Sequence, residues 1–475
     1  MASPNISFDQ IPASIRKPGQ YFEFNTKLAV RTLPGNLQRV LVVGQRLAEV
    51  VSNIAALEPV DVFSDVDAAV YFGYGSIAHQ MVKAAIKANP YVQLTVIAFD
   101  DDEAGVAATG TATVTGTATA PGTITLVVGD ARVAVSVETG ATAAQVATKL
   151  AAAATAAIEL PITAAAAAGV ITLKAKHKGA AGNDIKVKAE ARTAGLTADV
   201  TAMADGQIDP DLAPALAVAF AAGHNLVASP FATTEALATL RTHLEAVGSP
   251  MEQRDAIGVA GTPATLSAAT TLAGAINSGL MTLGWHNGSV LSAAQIAAAY
   301  ASVIAFEEDP ARPLNTLELK GLDVTDIASQ PGRTEQENAL YNGVTPFEIG
   351  PGNRVQIVRA VTTYTVNPQG VDDVALLDLT TMRTLHYVRK ASRERIALRF
   401  PREKLSEKTP PKVRSELLDV LVKCEELEIL EAVEANKDAL ILERDSQDVN
   451  RLNARIPADV VNGLHVFAGR IDLLL

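Results

Sequence analysis

HNLVASPFATTEALATLRTHLEAVGSPMEQRDAIGVAG, residues 224–261, holds a strand, a helix and a second strand with short joints between them. HNLVASP (224–230) is a brief apolar run ended by Ser-Pro, and AIGVAG (256–261) is another. Between them the apolar residues of 234–247 recur at helical spacing, and Gly248 stands just past the end, where a helix finds its left-handed or open cap. Strand, helix and strand at this spacing predict a βαβ unit, hence parallel strands covered by helices. The same alternation extends both ways. RVLVVG (39–44) and VQLTVIAF (92–99) read as buried strands, and SIAHQMVKAAIKANP (76–90) as a helix with Ser76 as N-cap and Pro90 beyond its end. Helices over 211–222, 267–277 and 292–306 and a strand over LMTLGW (280–285) complete the pattern. The fold class is therefore an α/β core with a mostly parallel sheet.

Two regions break the alternation. Between Phe99 and Phe220 no aromatic residue occurs, and Ala, Thr, Gly and Val dominate. TATVTGTATA, GTITLVVG and ARVAVSVETG read as successive antiparallel strands. Thr142 and Gln145 supply a capping box for a helix to about 157, and GVITLKAKHKG and DIKVKAEA read as further strands. This is a small β-rich domain, 104–206, inserted in a loop of the core, where insertions are tolerated. The C-terminal part is α+β. VQIVRAVTTY closes a strand over 354–364, helices are expected over 372–397 and 411–435, and strands over 440–444, 451–456 and 461–475. The expected division is an N-terminal arm 1–30, a core 31–103 and 207–350, the insertion 104–206, a C-terminal domain 351–460 and a terminal strand 461–475.

That last stretch, VNGLHVFAGRIDLLL, alternates like a strand to the chain's final residue. Leu464, Val466, Phe467, Ile471 and Leu473 are too apolar for a frayed end, and an unpaired edge recruits other chains. At the other end, YFEFN (21–25) reads as a short strand in an arm interrupted by Pro4, Pro12 and Pro18.

The chain has 475 residues, 48% hydrophobic and 19% charged, with a net charge of −12 and a pI near 5.2. That excludes wholesale disorder and argues against wrapping nucleic acid, which needs a basic footprint. Cys424 is the only cysteine, so no internal disulfide exists and a reducing compartment suits the chain. The start lacks the basic and apolar regions of a secretory signal, and the alanine-rich stretches are too short to span a bilayer. Charge is segregated near the C-terminus. Ten Lys and Arg face three Glu between 389 and 414, and Glu dominates from 416 to 448. Solvated helix faces and head-to-tail contacts between identical copies both fit this.

A search for chemistry finds little. Gly73-Tyr74-Gly75-Ser76 precedes a helix but lacks a dinucleotide fingerprint or a P-loop, and a tight turn suits it better. No G-x-S-x-G elbow, H-E-x-x-H or paired Cys/His spacing occurs, and His79, His224, His243 and His286 are scattered. Asp100 to Glu103 follow a strand at the place where α/β proteins bind ligands; a solvated connector to the insertion is the reading preferred over a calcium or magnesium site. No catalytic residue, cofactor or metal is assigned.

Six segments, in order, resemble the contractile tail sheath proteins of Mu-like bacteriophages: ISFDQIPASIRKPGQYFEF, AVYFGYGSIAHQMVKAAIKANP, SPMEQRDAIGVAG, FEEDPARPLNTLEL, ENALYNGVTPF and VQIVRAVTTY. The resemblance implies a subtilisin-like core topology without proteolysis. It implies six-membered rings stacked helically around a tail tube, in a virion assembled in the host cytoplasm. The expected partners are other copies of the chain, the tube protein, and baseplate and terminator proteins, with no nucleic acid and no membrane insertion. It also implies that terminal arms add strands to neighbours' C-terminal domains, which gives Tyr21, Phe22, Phe24, Leu464, Val466, Phe467, Ile471 and Leu473 as interface residues. With the C-terminal domain against the tube, Arg393, Arg395, Arg399, Arg402 and Lys404 become tube-facing candidates. The alternative is the sheath of a phage-derived contractile bacteriocin. An enzyme, or adhesion through an insertion that lacks aromatic residues for stacking on sugars, fits the sequence less well.

Overall fold

The computed structural model describes residues 16–22, 33–48 and 54–473. The first part of the chain gives β1 (Arg39–Gln45), β2 (Pro59–Asp61), α1 (Asp65–Phe72), α2 (Ile77–Ala88) and β3 (Gln93–Phe99). Then come β4 (Thr109–Gly116), β5 (Gly122–Val128), β6 (Ala131–Val137), α3 (Ala143–Ala156), β7 (Ile162–Ala167), β8 (Val170–Ala175), β9 (Val187–Arg192) and β10 (Leu196–Ala204). Alternation resumes with α4 (Ala213–Ala219), β11 (Leu226–Ala228), α5 (Thr234–Val247), β12 (Ile257–Thr262), α6 (Leu266–Ile276), β13 (Met281–Trp285) and α7 (Ala293–Phe306). The rest is α8 (Arg333–Tyr341), β14 (Thr345–Gly350), β15 (Arg354–Ile357), α9 (Leu379–Arg399), α10 (Thr409–Glu426), α11 (Val433–Asn436), β16 (Ile441–Arg444) and β17 (Leu452–Arg455).

Eight strands form the main sheet in the order β15-β14-β13-β12-β11-β1-β3-β2. The six inner strands are parallel, and the two edges are antiparallel. Each inner strand is apolar on both sides, as a sheet covered on both faces requires. Val40 and Val42 of β1 join α1, α2 and α7 in one core, while Leu41 and Val43 join α4, α5 and α6 in the other. Helix α7 is buried on almost every side. It approaches the sheet closely because β12 carries Gly261, where a Cβ would sit 2.6 Å from the Ala297 nitrogen.

Residues 108–203 build a third core of their own. One sheet has the order β10-β4-β8-β7, a second β6-β5-β9, and α3 packs on them with both halves of the Thr142–Gln145 capping box in place. Strand β7, ITAAAA, is built from alanines that prefer helix in isolation. Pairing with β8 through the left-handed Ala168–Gly169 turn overrides that preference.

Several expectations need correction. Strand 354–364 is β15 alone: after Ile357 the chain leaves the ladder, and Val361 pairs only in a single bridge with Asp378. The helix expected over 372–397 begins at Leu379, because 365–373 folds back on itself through Val366–Asp372 and Asp378 supplies the N-cap. The helix expected over 411–435 stops at Glu426, where Glu428 and Ala432 take left-handed conformations that break it before α11. Helices α1 and α8 and strands β2, β7, β10 and β14 were not foreseen. The terminal strand is corrected below.

Candidate functional site

Residues 461–473 run along the surface without joining a ladder of their own subunit among the described residues. They lie with the wrong face out. Val461, Gly463 and His465 are half-buried, whereas Leu464 and Val466 face solvent, Phe467 is 87% exposed and Ile471 99%. So many large apolar groups in water demand a cover. The tail is anchored at its base by one side chain. His465 Nε2 lies 2.8 Å from Asp378 Oδ2, and Asn315 Nδ2 donates to His465 Nδ1 at 3.0 Å. Arg359 reaches the same carboxylate at 3.0 Å. Burial alone would raise the Asp378 pKa, but the His465 bond and charge and the Arg359 guanidinium outweigh it and hold it at about 2.

A carboxyl depressed from an unfolded value near 3.9 stabilises the fold fully above that pH and loses its contribution as pH falls through about 2. The magnitude is on the order of 2 kcal/mol. We expect His465→Ala to move the Asp378 titration upward in an NMR-monitored pH series and to make 461–473 more sensitive to protease. An unchanged Asp378 titration would contradict the anchor.

Near the tail's base lies the C-terminal ribbon. β16 and β17 pair antiparallel, with no third strand on either edge among the described residues. The ribbon, α9 and α10 border an open apolar groove of about 800 Å³, lined by Val388, Ile396, Phe400, Leu417, Leu442 and Leu452. The N-terminal candidates are less informative. Tyr21 and Phe22 are exposed and outside any strand, Tyr21 Oη bonds to the Lys17 carbonyl, and Phe24 lies outside the described residues.

The tube-facing candidates do not form one surface. Arg402 and Lys404 are exposed. Arg393 is exposed but donates to the Gln253 carbonyl at 2.6 Å. Arg395 and Arg399 must be reassigned. Arg395 is 5% exposed and joins α9 to α10 through Glu416 at 3.1 Å and Asp419 at 2.5 Å, while half-buried Arg399 lies 3.5 Å from Glu416. They hold two helices together, so neither is presented outward.

The acidic run after β3 is no loose connector either. Asp101 is a buckle between core and insertion: it accepts from Gln45 Nε2 at 2.7 Å and Lys178 N at 2.8 Å, and lies 2.7 Å from His177 Nδ1. An Asp–His pair at the carboxyl end of a parallel sheet invites an enzymatic reading, but His177 Nε2 is already taken by the Ile77 amide at 3.2 Å. Ser289 Oγ likewise donates to Asp323, whose main-chain carbonyl meets His286 at 2.7 Å. Asp101→Ala should cost about 1–3 kcal/mol by stranding its partners and should open the 103–107 joint to protease. Wild-type melting would refute this role. The sequence signal was there, in Asp101 before the insertion and His177 near its return, but only the fold pairs them.

Among the described residues no cluster of three or more His, Cys, Asp or Glu could hold a metal ion, and no helix is long and apolar enough to cross a membrane.

Comparison with known proteins places the chain in a family. Residues 206–363 match the phage tail sheath protein central domain, and 371–473 the phage tail sheath C-terminal domain. The chain belongs to the phage tail sheath family. It is 33% identical to the Mu-like prophage FluMu tail sheath protein of Haemophilus influenzae over 99% of this chain and 100% of that one. The fold is shared with the crystal structure of a sheath tail protein from Desulfitobacterium hafniense (TM-score 0.51, 16% identity, 94% of this chain and 97% of that). It is also shared with the sheath of an extracellular contractile injection system, solved in the contracted state (TM-score 0.51, 11% identity, 97% and 98%). The protein is thus a tail sheath protein of the phage type.

Proposed function

We propose that this chain polymerises as helically stacked six-membered rings around a tail tube, and that contraction of the lattice drives the tube through a host envelope to deliver a genome. The observation that carries this reading is the terminal segment, with its apolar face in water, beside a ribbon that has no third strand among the described residues. Residues 461–475 of one subunit would add a strand to β16 or β17 of another and lay Leu464, Val466 and Phe467 over the groove. Main-chain hydrogen bonds supply the affinity in strand addition, and the side-chain pockets supply register. The N-terminal arm, with Tyr21, Phe22 and Phe24, would do the same elsewhere.

Joints of this kind can pivot while their hydrogen bonds persist, so a lattice can shorten without dissolving. The stored energy is then a property of the assembly, and nucleotide hydrolysis has no place in it. In this reading the core is 31–103 with 207–350 extended through β15, which completes its sheet, the insertion 104–206 is an outer domain, and the rest of the C-terminal domain, to 460, faces the tube. Numbering only the first seven strands of the main sheet in chain order gives 2-3-1-4-5-6-7, which supports a subtilisin-like topology. Arg402 and Lys404 are the tube contacts we retain. Tube, baseplate and terminator proteins complete the partners.

Electron microscopy of the purified chain tests the reading. Hollow striated tubes are expected; discrete monomers under all salt conditions, with and without tube protein, would refute it. A phage-derived machine that carries no genome is the second reading, favoured by the fold shared with an injection-system sheath. Neighbouring capsid and portal genes distinguish the two.

A further inference from the structure

At the ends where β1, β11 and β12 begin, a cavity of about 300 Å³ opens between the sheet, residues 36–39 and α9. Arg39, Arg254, Arg383, Lys390 and Arg393 line it, against one carboxylate, Asp255. That carboxylate is already engaged by Arg389 at 2.9 Å. Arg254 is paired with Glu252. The other four cations rest on main-chain carbonyls: Arg39 on Ala222 at 3.1 Å, Lys390 on Gly35 at 2.8 Å, Arg393 on Gln253 at 2.6 Å, and Arg383 on Glu307.

Carbonyls orient a cation but bring no net charge to balance it. In a chain of net charge −12, three cations with no carboxylate partner among the described residues, Arg39, Lys390 and Arg393, around one recess are not a consequence of composition. Arg383 feels the charges of Glu307 and Asp309 but is not fully satisfied by its surroundings. It is 5% exposed, and its Nη1 has no hydrogen-bond partner, a state that costs several kcal/mol for a charged group. Burial lowers the His386 pKa, so this neighbour adds no further charge near neutrality.

We propose that the cavity binds a small phosphate-class oxyanion, held by Arg383 and Lys390 from α9 and by Arg39 from the sheet side. Guanidinium groups fixed in place by carbonyls are pre-organised donors for a tetrahedral anion, which accepts from several at once. The lining comes from four separate segments that surround the recess, and the volume leaves room for the anion with its waters. Bound there, the anion would tie α9 and the 36–39 segment to the sheet. The proposal does not depend on how sheath subunits assemble.

The test titrates inorganic phosphate into the full chain at constant ionic strength, followed by calorimetry and thermal melting. Saturable heat and a saturable rise in Tm are expected. Arg383→Met should weaken binding about tenfold, the value of one charge-assisted hydrogen bond. Lys390→Met, a change at the half-buried rim, should weaken it in the same direction and serves if the buried variant folds poorly. Absence of saturation, or the same Tm rise in wild type and Lys390→Met, would overturn the proposal. So would binding of a peptide of the acidic turn 424–436 where phosphate does not bind, which would give the cavity to a second copy.

Discussion

A chain ending at Val460 will fold and will not polymerise. Residues 461–473 contribute almost nothing to their own subunit's core, so circular dichroism should stay near that of the full chain, and stability should fall only by the lost His465–Asp378 contact, on the order of 2 kcal/mol. Leu464, Val466, Phe467, Ile471 and Leu473 would be covered only in an assembly. At about 1.5–3 kcal/mol for each buried large apolar side chain, their gross contribution is on the order of 10 kcal/mol per subunit. Ordering the segment offsets part of that. What remains is repeated at every joint, so its loss should raise the concentration needed for polymer by orders of magnitude. Tubes of normal length from the truncated chain would remove the basis of the assembly reading.

Arg395→Glu should be the most damaging single change in the C-terminal region. Arg395 bonds Glu416 and Asp419 across the α9–α10 contact, and the variant would place three carboxylates together with little solvent. Removing one partner of a buried pair costs about 3–5 kcal/mol, and reversal adds repulsion. A lower Tm and early exposure of buried Cys424 to thiol reagents are expected. Arg402→Glu with Lys404→Glu is the contrasting pair. Both residues are exposed, so melting should not change, while coupling of sheath to tube should be lost. If Arg395→Glu melts like wild type, the cross-helix role is wrong and a surface role returns.

How much of this was legible in the sequence depends on the range of the forces involved. Strand 39–44 and helix 234–247 are fixed by local periodicity and caps, and the structure has them within a residue. The capping box at Thr142 is equally local. Errors cluster where a partner distant in sequence decides. The helix start at Leu379 is set by Asp378, whose carboxylate is claimed by Arg359 and His465. The alanines of β7 become a strand because β8 lies beside them. Arg395 and Arg399 carry the same charge as Arg402 in a linear reading; Glu416 and Asp419 bury them. The terminal segment is the reverse case: its alternation was visible, but it forms no strand among the described residues of a single subunit.

Whether the last residues belong to another subunit's sheet is decided by a reconstruction of the assembled polymer by electron cryomicroscopy. Residues 464–473 should be hydrogen-bonded to β16 or β17 of a neighbouring subunit, with Val466 and Phe467 over its groove. Density that returns this segment to its own subunit's ribbon, or leaves it free in the polymer, would contradict it.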